Sequence, residues 1–210
     1  VREMGLIKKY FSNTRKPDGM FGKMMVSGMN KAHAEVSDWG MEHIFSMHPK
    51  TIIELGCGGG RNAARLLSSF PEATLAALDY SEVAIEKTKQ INRKEIQNKR
   101  CHVLQGDVAA LPFAENSFDL AAAFETVYFW PGPTESFREV WRVLKPGSLF
   151  LIVNESDGTN KNDEKWMDII DGLRIFDKTQ LSTFLKDAGF SKVTIDHDET
   201  KHRLCIMAVK

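Results

Sequence analysis

Alternating glycines between two differently patterned segments are the most distinctive chemical feature of the sequence. Gly56, Gly58 and Gly60 follow a short apolar run at 51–55 and precede an amphipathic stretch. Glycine at such positions permits a positive backbone φ and lets a ligand approach the main chain closely. A GxGxxG dinucleotide fingerprint would need glycine at position 61, where Arg61 stands. The glycines therefore predict a ligand cradle that differs from the usual nicotinamide-dinucleotide type.

Acidic residues near the ends of three apolar runs extend this cradle. Glu54 precedes the glycines, and a carboxylate there suits an ammonium group better than a pyrophosphate, which indicates a cofactor that bears an amino acid. Asp79 ends the next run, where a carboxylate can accept hydrogen bonds from both hydroxyls of a ribose. Asp107 follows Gly106 after a third run, where a carboxylate can accept the amino protons of an adenine.

The segment after a fourth apolar run is rich in aromatic side chains and is expected to face a second substrate. Tyr128 and Trp130 could surround a cation or stack on a ring, and ordinary loop packing is the alternative. His33 lies within a methionine-rich helical pattern, where it could be a general base, and a surface or core role is the alternative. The predicted substrate-binding residues are Met24, Thr126, Tyr128 and Trp130, and the predicted catalytic residues are His33 and Tyr128.

Strand and helix patterns alternate from residue 51 onward, which predicts an α/β fold with a parallel sheet and helices on both faces. Predicted strands cover 51–55, 74–78, 102–104, 118–124, 149–153, 193–196 and 203–209, the last two in an antiparallel pair. Predicted helices cover 61–70, a long segment from Ser81 that includes Ile96, 134–144, and a segment from Phe176 to Ala188. Ligands of such sheets bind beyond the carboxyl ends of the strands, where the strand order reverses.

The first 48 residues differ in character and are expected to form a helical cap or lid over a domain at 49–210. They hold most of the nine methionines, and apolar residues from Phe21 to Ile44 recur at helical spacing. Adaptable thioethers can line a pocket, while a helix packed on the core is the alternative.

Composition and charge disfavour several other classes of protein. The 28 basic and 28 acidic residues give zero net charge, which disfavours a broad nucleic-acid-binding face. No apolar run reaches the roughly 18 residues of a membrane span. Three separated cysteines, without a CxxC pair or zinc-type spacing, predict no metal site. Together with a start that lacks a secretory pattern, they predict a cytoplasmic protein. The sequence leaves the oligomeric state open between a monomer and a homodimer.

Several segments together resemble the class I S-adenosylmethionine-dependent methyltransferases, in particular those that act on small molecules. The resemblance covers about residues 45–155 and is carried by ELGCGGG, LDYS, QGDVAALPF, FDLAAAFETVYFW and EVWRVLKPGSLFLIV. It implies a Rossmann-like, doubly wound seven-stranded sheet of order 3-2-1-4-5-7-6 with the last strand antiparallel. It also implies S-adenosylmethionine as cofactor and S-adenosylhomocysteine as product. The expected cofactor-binding residues are Glu54, Gly56, Cys57, Gly58, Gly60, Asp79, Tyr80, Gly106, Asp107, Val108 and Glu125.

The expected activity is therefore methyl transfer to a small-molecule acceptor, by in-line displacement in a pocket closed by the cap. Positioning supplies much of the rate of such a reaction, and a base is needed only where the acceptor loses a proton. The stretch FETVYFW stands where nucleic-acid amino-methyltransferases usually carry an NPPY-type motif. A protein methyltransferase and a non-catalytic S-adenosylmethionine-binding module remain alternatives.

Overall fold

The computed structural model describes residues 33–210. Met24 and most of the methionine-rich helical pattern around it lie outside the described residues. The division at residue 48 remains a prediction. No helix within 33–210 has both the length and the apolar character needed to cross a bilayer.

Seven strands form one sheet, and its order confirms the expected topology. The strands are β1 Thr51–Leu55, β2 Thr74–Asp79, β3 Cys101–Gln105, β4 Phe118–Phe124, β5 Leu144–Asn154, β6 Lys192–Asp198 and β7 Arg203–Val209. Their order is β3-β2-β1-β4-β5-β7-β6, and β7 runs antiparallel to both β5 and β6 while the other neighbours are parallel. The chain leaves β1 toward β2 and returns on the other side as β4, so the strand order reverses between β1 and β4.

Helices cover both faces of the sheet. They are α1 Ala34–Glu42, α2 Arg61–Ser69, α3 Glu82–Ile91, α4 Arg93–Gln97, α5 Pro133–Val143, α6 Lys161–Ile169 and α7 Lys178–Ala188, with a 3-10 turn at Val127–Phe129. Successive strand residues point to opposite faces, so Ile52 packs with Met41 and Leu66 on one side, while Ile53 packs with Phe137 on the other. The alternation buries both faces and fixes the carboxyl ends of the parallel strands at one edge.

Helix boundaries follow local sequence signals. The Ser81 hydroxyl accepts the N–H of Ala84 at the start of α3, as expected of an N-cap. Asp177 and Gln180 form a capping box at the start of α7, and Gly189 ends that helix with φ 109°, the left-handed conformation that glycine adopts readily.

Most predicted elements agree with the structure to within two residues at each end, and two differ by more. The long helix predicted from Ser81 through Ile96 is wrong: it is broken at Asn92 into α3 and α4. The Asn92 amide donates to the carbonyls of Gly60 and Thr88, which holds Asn92 at the break. Strand β5 begins at Leu144 rather than at residue 149, because Leu144 already pairs with Phe118 before the register shifts.

Candidate active site

A cavity of about 220 Å³ lies beyond the carboxyl ends of β1, β2 and β4, where the strand order reverses. Its walls come from the glycine-containing loop after β1, the ends of β2 and β3, and the segment after β4. The sequence-predicted residues that line it are His33, Gly56, Cys57, Gly58, Asp79, Tyr80, Gly106, Asp107, Val108, Glu125, Thr126 and Trp130. Glu54, Gly60 and Tyr128 lie outside its wall.

The loop after β1 is fixed to β2, and Gly58 in this loop has open space beside its main chain. The N–H groups of Gly56 and Cys57 donate to the carbonyl of Leu78 at 2.8 and 3.0 Å. A Cβ on Gly56 would stand 2.1 Å from the Thr126 hydroxyl, whereas a Cβ on Gly58, at φ 49°, would meet no atom within 4 Å. The main chain at Gly58 is therefore accessible to a ligand, as a cofactor cradle requires.

Gly60 packs the loop against α3 and has no face on the cavity. Its φ is 76°, and an added Cβ would approach the Thr88 Cα to 2.6 Å. The buried Asn92 amide donates to the Gly60 carbonyl at 2.9 Å. Asn92 is thus a supporting residue that the sequence did not reveal, although asparagine within a helical pattern is a known signal for a break.

Asp79 accepts a hydrogen bond from the loop after β1, and the same side chain faces the cavity. Its Oδ2 accepts the N–H of Gly58 and its Oδ1 accepts the N–H of Ser81, both at 2.9 Å. Burial raises the pKa of this carboxyl despite these hydrogen bonds. Because each carboxylate oxygen can accept a further hydrogen bond, Asp79 suits the hydroxyls of a ribose.

Glu54 lies behind this wall, buried in β1. Its side chain is 1 % exposed, and its Oε2 has no hydrogen-bond partner among the described residues. Burial, and next the charge of Asp79, raise the pKa of Glu54 well above its usual value. A contact between Glu54 and an ammonium group stays a prediction.

The opposite side of the cavity is aromatic. Phe129 and Trp130 line it beside Thr126, and the indole Nε1 of Trp130 donates to the Thr126 hydroxyl at 3.3 Å. The Trp130 ring also stacks on Phe150, with ring centroids 6.1 Å apart. Trp130 is therefore part of both the core and the wall, and Phe129 is a wall residue that the sequence did not single out.

Tyr128 is buried and does not line the cavity, so its catalytic role stays a prediction. Its hydroxyl accepts the N–H of Ser156 at 3.0 Å. Burial, and next the charge of Glu125, raise the pKa of Tyr128 well above its usual value. The phenol is therefore neutral.

His33 stands at the beginning of α1, not midway along a helix as the sequence suggested. It lines the cavity, and its Nε2 is 3.4 Å from Glu155 Oε1. Glu125 Oε1 in turn accepts the N–H of Glu155. Potential ligand atoms of His33, Glu125 and Glu155 lie within 4.8 Å of one another, a grouping that the sequence did not predict because the three residues are far apart along the chain.

Comparison with known proteins agrees with this geometry. A family model described as a methyltransferase domain matches residues 53–152. The chain belongs to the class I S-adenosylmethionine-dependent methyltransferase superfamily. It is 30 % identical to sterol 24-C-methyltransferase of Pneumocystis carinii over 146 residues, which are 65 % of this chain and 38 % of that protein.

Two further similarities cover more of the chain. The ubiquinone/menaquinone biosynthesis C-methyltransferase UbiE of Dinoroseobacter shibae is 24 % identical over 214 residues, 90 % of this chain and 84 % of that protein. A chain of the Haloferax volcanii complex between the Trm112 methyltransferase activator and a methyltransferase superposes with a TM-score of 0.78 at 19 % identity, covering 89 % and 93 % of the two chains. The latter supports the fold alone. The chain spans less than half the length of the sterol and cycloartenol methyltransferases that it matches.

Proposed function

We propose that this protein transfers the methyl group of S-adenosylmethionine to a small-molecule acceptor. The observation that carries the proposal is the single cavity wall on which the open Gly58 main chain and the Asp79 carboxylate stand together. When bound, this cofactor supplies a methyl group that its positively charged sulfur already activates. The remaining task of the protein is to hold donor and acceptor in line, which can supply a large part of the rate.

The cofactor half of the site is assigned to the ends of β1, β2 and β3. Asp79 accepts hydrogen bonds from the ribose hydroxyls, and the Gly58 main chain lies under the amino-acid part. Gly106, Asp107 and Val108, which line the cavity after β3, face the adenine. The buried Glu54 carboxyl beneath the loop favours the positive end of the cofactor through space.

The acceptor half is assigned to the segment after β4 and to His33. Phe129 and Trp130 provide an apolar wall that excludes water from the reacting atoms, and Thr126 offers a hydroxyl beside them. Relatives named for sterol and quinone methylation support an acceptor of small-molecule size. We assign residues 1–48 as the cap that closes this side, with His33 at its edge.

The direct test is turnover with a methyl-labelled cofactor. The whole chain is incubated with labelled S-adenosylmethionine and separate pools of quinols, sterols, amines, thiols and carboxylic acids. We expect labelled product and S-adenosylhomocysteine with at least one pool, and no label in added protein or RNA. Calorimetry that detects binding of neither S-adenosylmethionine nor S-adenosylhomocysteine would reject the proposal, and label only in protein would redirect it to a protein acceptor.

A further inference from the structure

A group of three potential metal ligands stands beside the acceptor half of the cavity. His33 precedes α1, Glu125 follows β4 and Glu155 follows β5, so three separate elements bring them together. Their ligand atoms lie within 4.8 Å of one another. We propose that His33, Glu125 and Glu155 bind one divalent transition-metal ion at this end of the cavity. Binding of the ion does not depend on the proposed methyl transfer. The effect of the ion on a bound methyl acceptor does rest on the proposed function.

The charge balance of the group favours a bound cation. Glu125 is 9 % exposed, and the Glu155 carboxyl stands next to it. An enclosed carboxylate that lies beside a second carboxylate is costly without a counter-charge. A metal ion can supply that charge, and the neighbouring imidazole of His33 can bind the same ion.

The Glu125 carboxyl is held in place before any ligand arrives. Its backbone has φ 58°, the left-handed conformation that is uncommon for residues other than glycine. Its Oε1 accepts the N–H of Glu155. Hydrogen bonds of this kind orient metal-binding carboxylates and tune their affinity.

The donor set indicates which ions would bind. One imidazole nitrogen with two carboxylate oxygens suits Mn²⁺ or Zn²⁺, whereas Mg²⁺ and Ca²⁺ prefer sites made entirely of oxygen. Three protein ligands leave coordination positions open toward the cavity, where an acceptor oxygen could bind and lose its proton more easily. In this arrangement His33 is a ligand, and no histidine base is needed.

The test is a titration of the chelator-treated whole chain with Mn²⁺, without cofactor, followed by electron paramagnetic resonance and calorimetry. We expect one saturable site that Zn²⁺ displaces and that Mg²⁺ and Ca²⁺ fill more weakly. Glu155→Gln and, separately, His33→Gln should each weaken Mn²⁺ binding by roughly tenfold or more. Glu155 is half exposed, so its replacement should leave the fold intact.

The matched control is His202→Gln, which alters a different histidine–carboxylate contact, with Asp157. It should leave Mn²⁺ binding unchanged. Absence of a saturable site, undiminished binding in both Glu155→Gln and His33→Gln, or loss of binding in His202→Gln would each overturn the assignment. Cofactor affinity measured on the same samples keeps this outcome separate from that of the proposed function.

Discussion

Asp79 combines a structural role with a face on the cavity, so its replacement tests the cofactor site at the level of one residue. Asp79→Ala removes the proposed acceptor of two ribose hydrogen bonds, and it also frees the N–H groups of Gly58 and Ser81. A loss of about 2–4 kcal/mol would weaken S-adenosylmethionine binding about 30- to 1000-fold. Calorimetry measures this directly.

The matched control for Asp79 is Asp171→Ala, because Asp171 is exposed and does not line the cavity. It should keep the wild-type affinity. An Asp79→Ala protein that is folded by circular dichroism and binds the cofactor as tightly as wild type would remove Asp79 from the site.

Tyr128 lies behind the wall, and its replacement separates support from catalysis. Tyr128→Phe keeps the ring but removes the oxygen that accepts the Ser156 N–H. We expect the free energy of unfolding to fall by about 1–2 kcal/mol, measured by urea denaturation, while cofactor affinity stays within error. A variant of unchanged stability whose turnover nevertheless collapses would support the catalytic role that the sequence predicts.

Local pattern predicted which strand ends supply the cavity wall, but it did not predict every side chain that lines it. The Gly56–Gly58 loop and Asp79 are predictable because each follows directly from the end of a recognisable strand. Whether Tyr128 or Phe129 lines the cavity depends on the 3-10 turn at Val127–Phe129. The periodicity of the sequence does not predict how such a turn is oriented. The approach of Glu155 to His33 depends on tertiary structure alone.

At the scale of elements, the contact between α1 and β5 is unusually close at one glycine. A Cβ on Gly40 would stand 2.2 Å from Val153 Cγ2, and Val153 is a fully buried strand residue that cannot move aside easily. We expect Gly40→Ala to lower the free energy of unfolding by about 1–3 kcal/mol through overpacking, measured by chemical denaturation. Because α1 carries His33 at its start, substrate turnover should fall as well.

The control within the same helix is Glu42→Ala, which changes an exposed side chain. It should leave stability within about 0.5 kcal/mol of wild type. If Gly40→Ala is as stable as Glu42→Ala, then α1 can shift from β5 at no cost, and the close packing does not position His33.

The bounds of the elements were predicted less well than their existence. The pattern of α3 continues past Asn92 in sequence, but the amide of that residue bonds to the loop after β1 and ends the helix. The early start of β5 depends on pairing of Leu144 with Phe118, a contact between strands that a single segment cannot reveal. Helix α6 was not predicted, because its segment KNDEKWMDI is mostly polar and has no continuous apolar stripe.

At the scale of the whole molecule, the topology was predictable because the alternation of strands and helices allows few arrangements, and the family resemblance selected one. The sheet order places the cavity between elements that are distant along the chain. The same order brings the end of β5 against the hairpin of β6 and β7. A buried carboxylate joins these parts, which the sequence could not indicate.

That carboxylate is Asp157, and it should make stability depend on pH. Its side chain is 1 % exposed. Its Oδ2 contacts His197 Nε2 at 2.7 Å and His202 Nδ1 at 3.3 Å, and its Oδ1 accepts from Thr159. Burial alone would raise the pKa of Asp157, but these partners outweigh it and lower the pKa to about 2.

A carboxyl whose pKa is lower in the folded than in the unfolded state stabilises the fold above the unfolded pKa, near 3.9, and the contribution is lost as the pH falls toward the folded value. Asp157 should therefore contribute about 2–3 kcal/mol near neutral pH. The stability difference between wild type and Asp157→Asn, measured by urea unfolding, should be about 1 kcal/mol smaller at pH 3 than at pH 6. The exposed Asp171→Asn should show no such change. A difference between wild type and Asp157→Asn that stays constant over this range would mean that the histidine contacts do not hold the charge of Asp157, and that the hairpin is fixed by strand pairing alone.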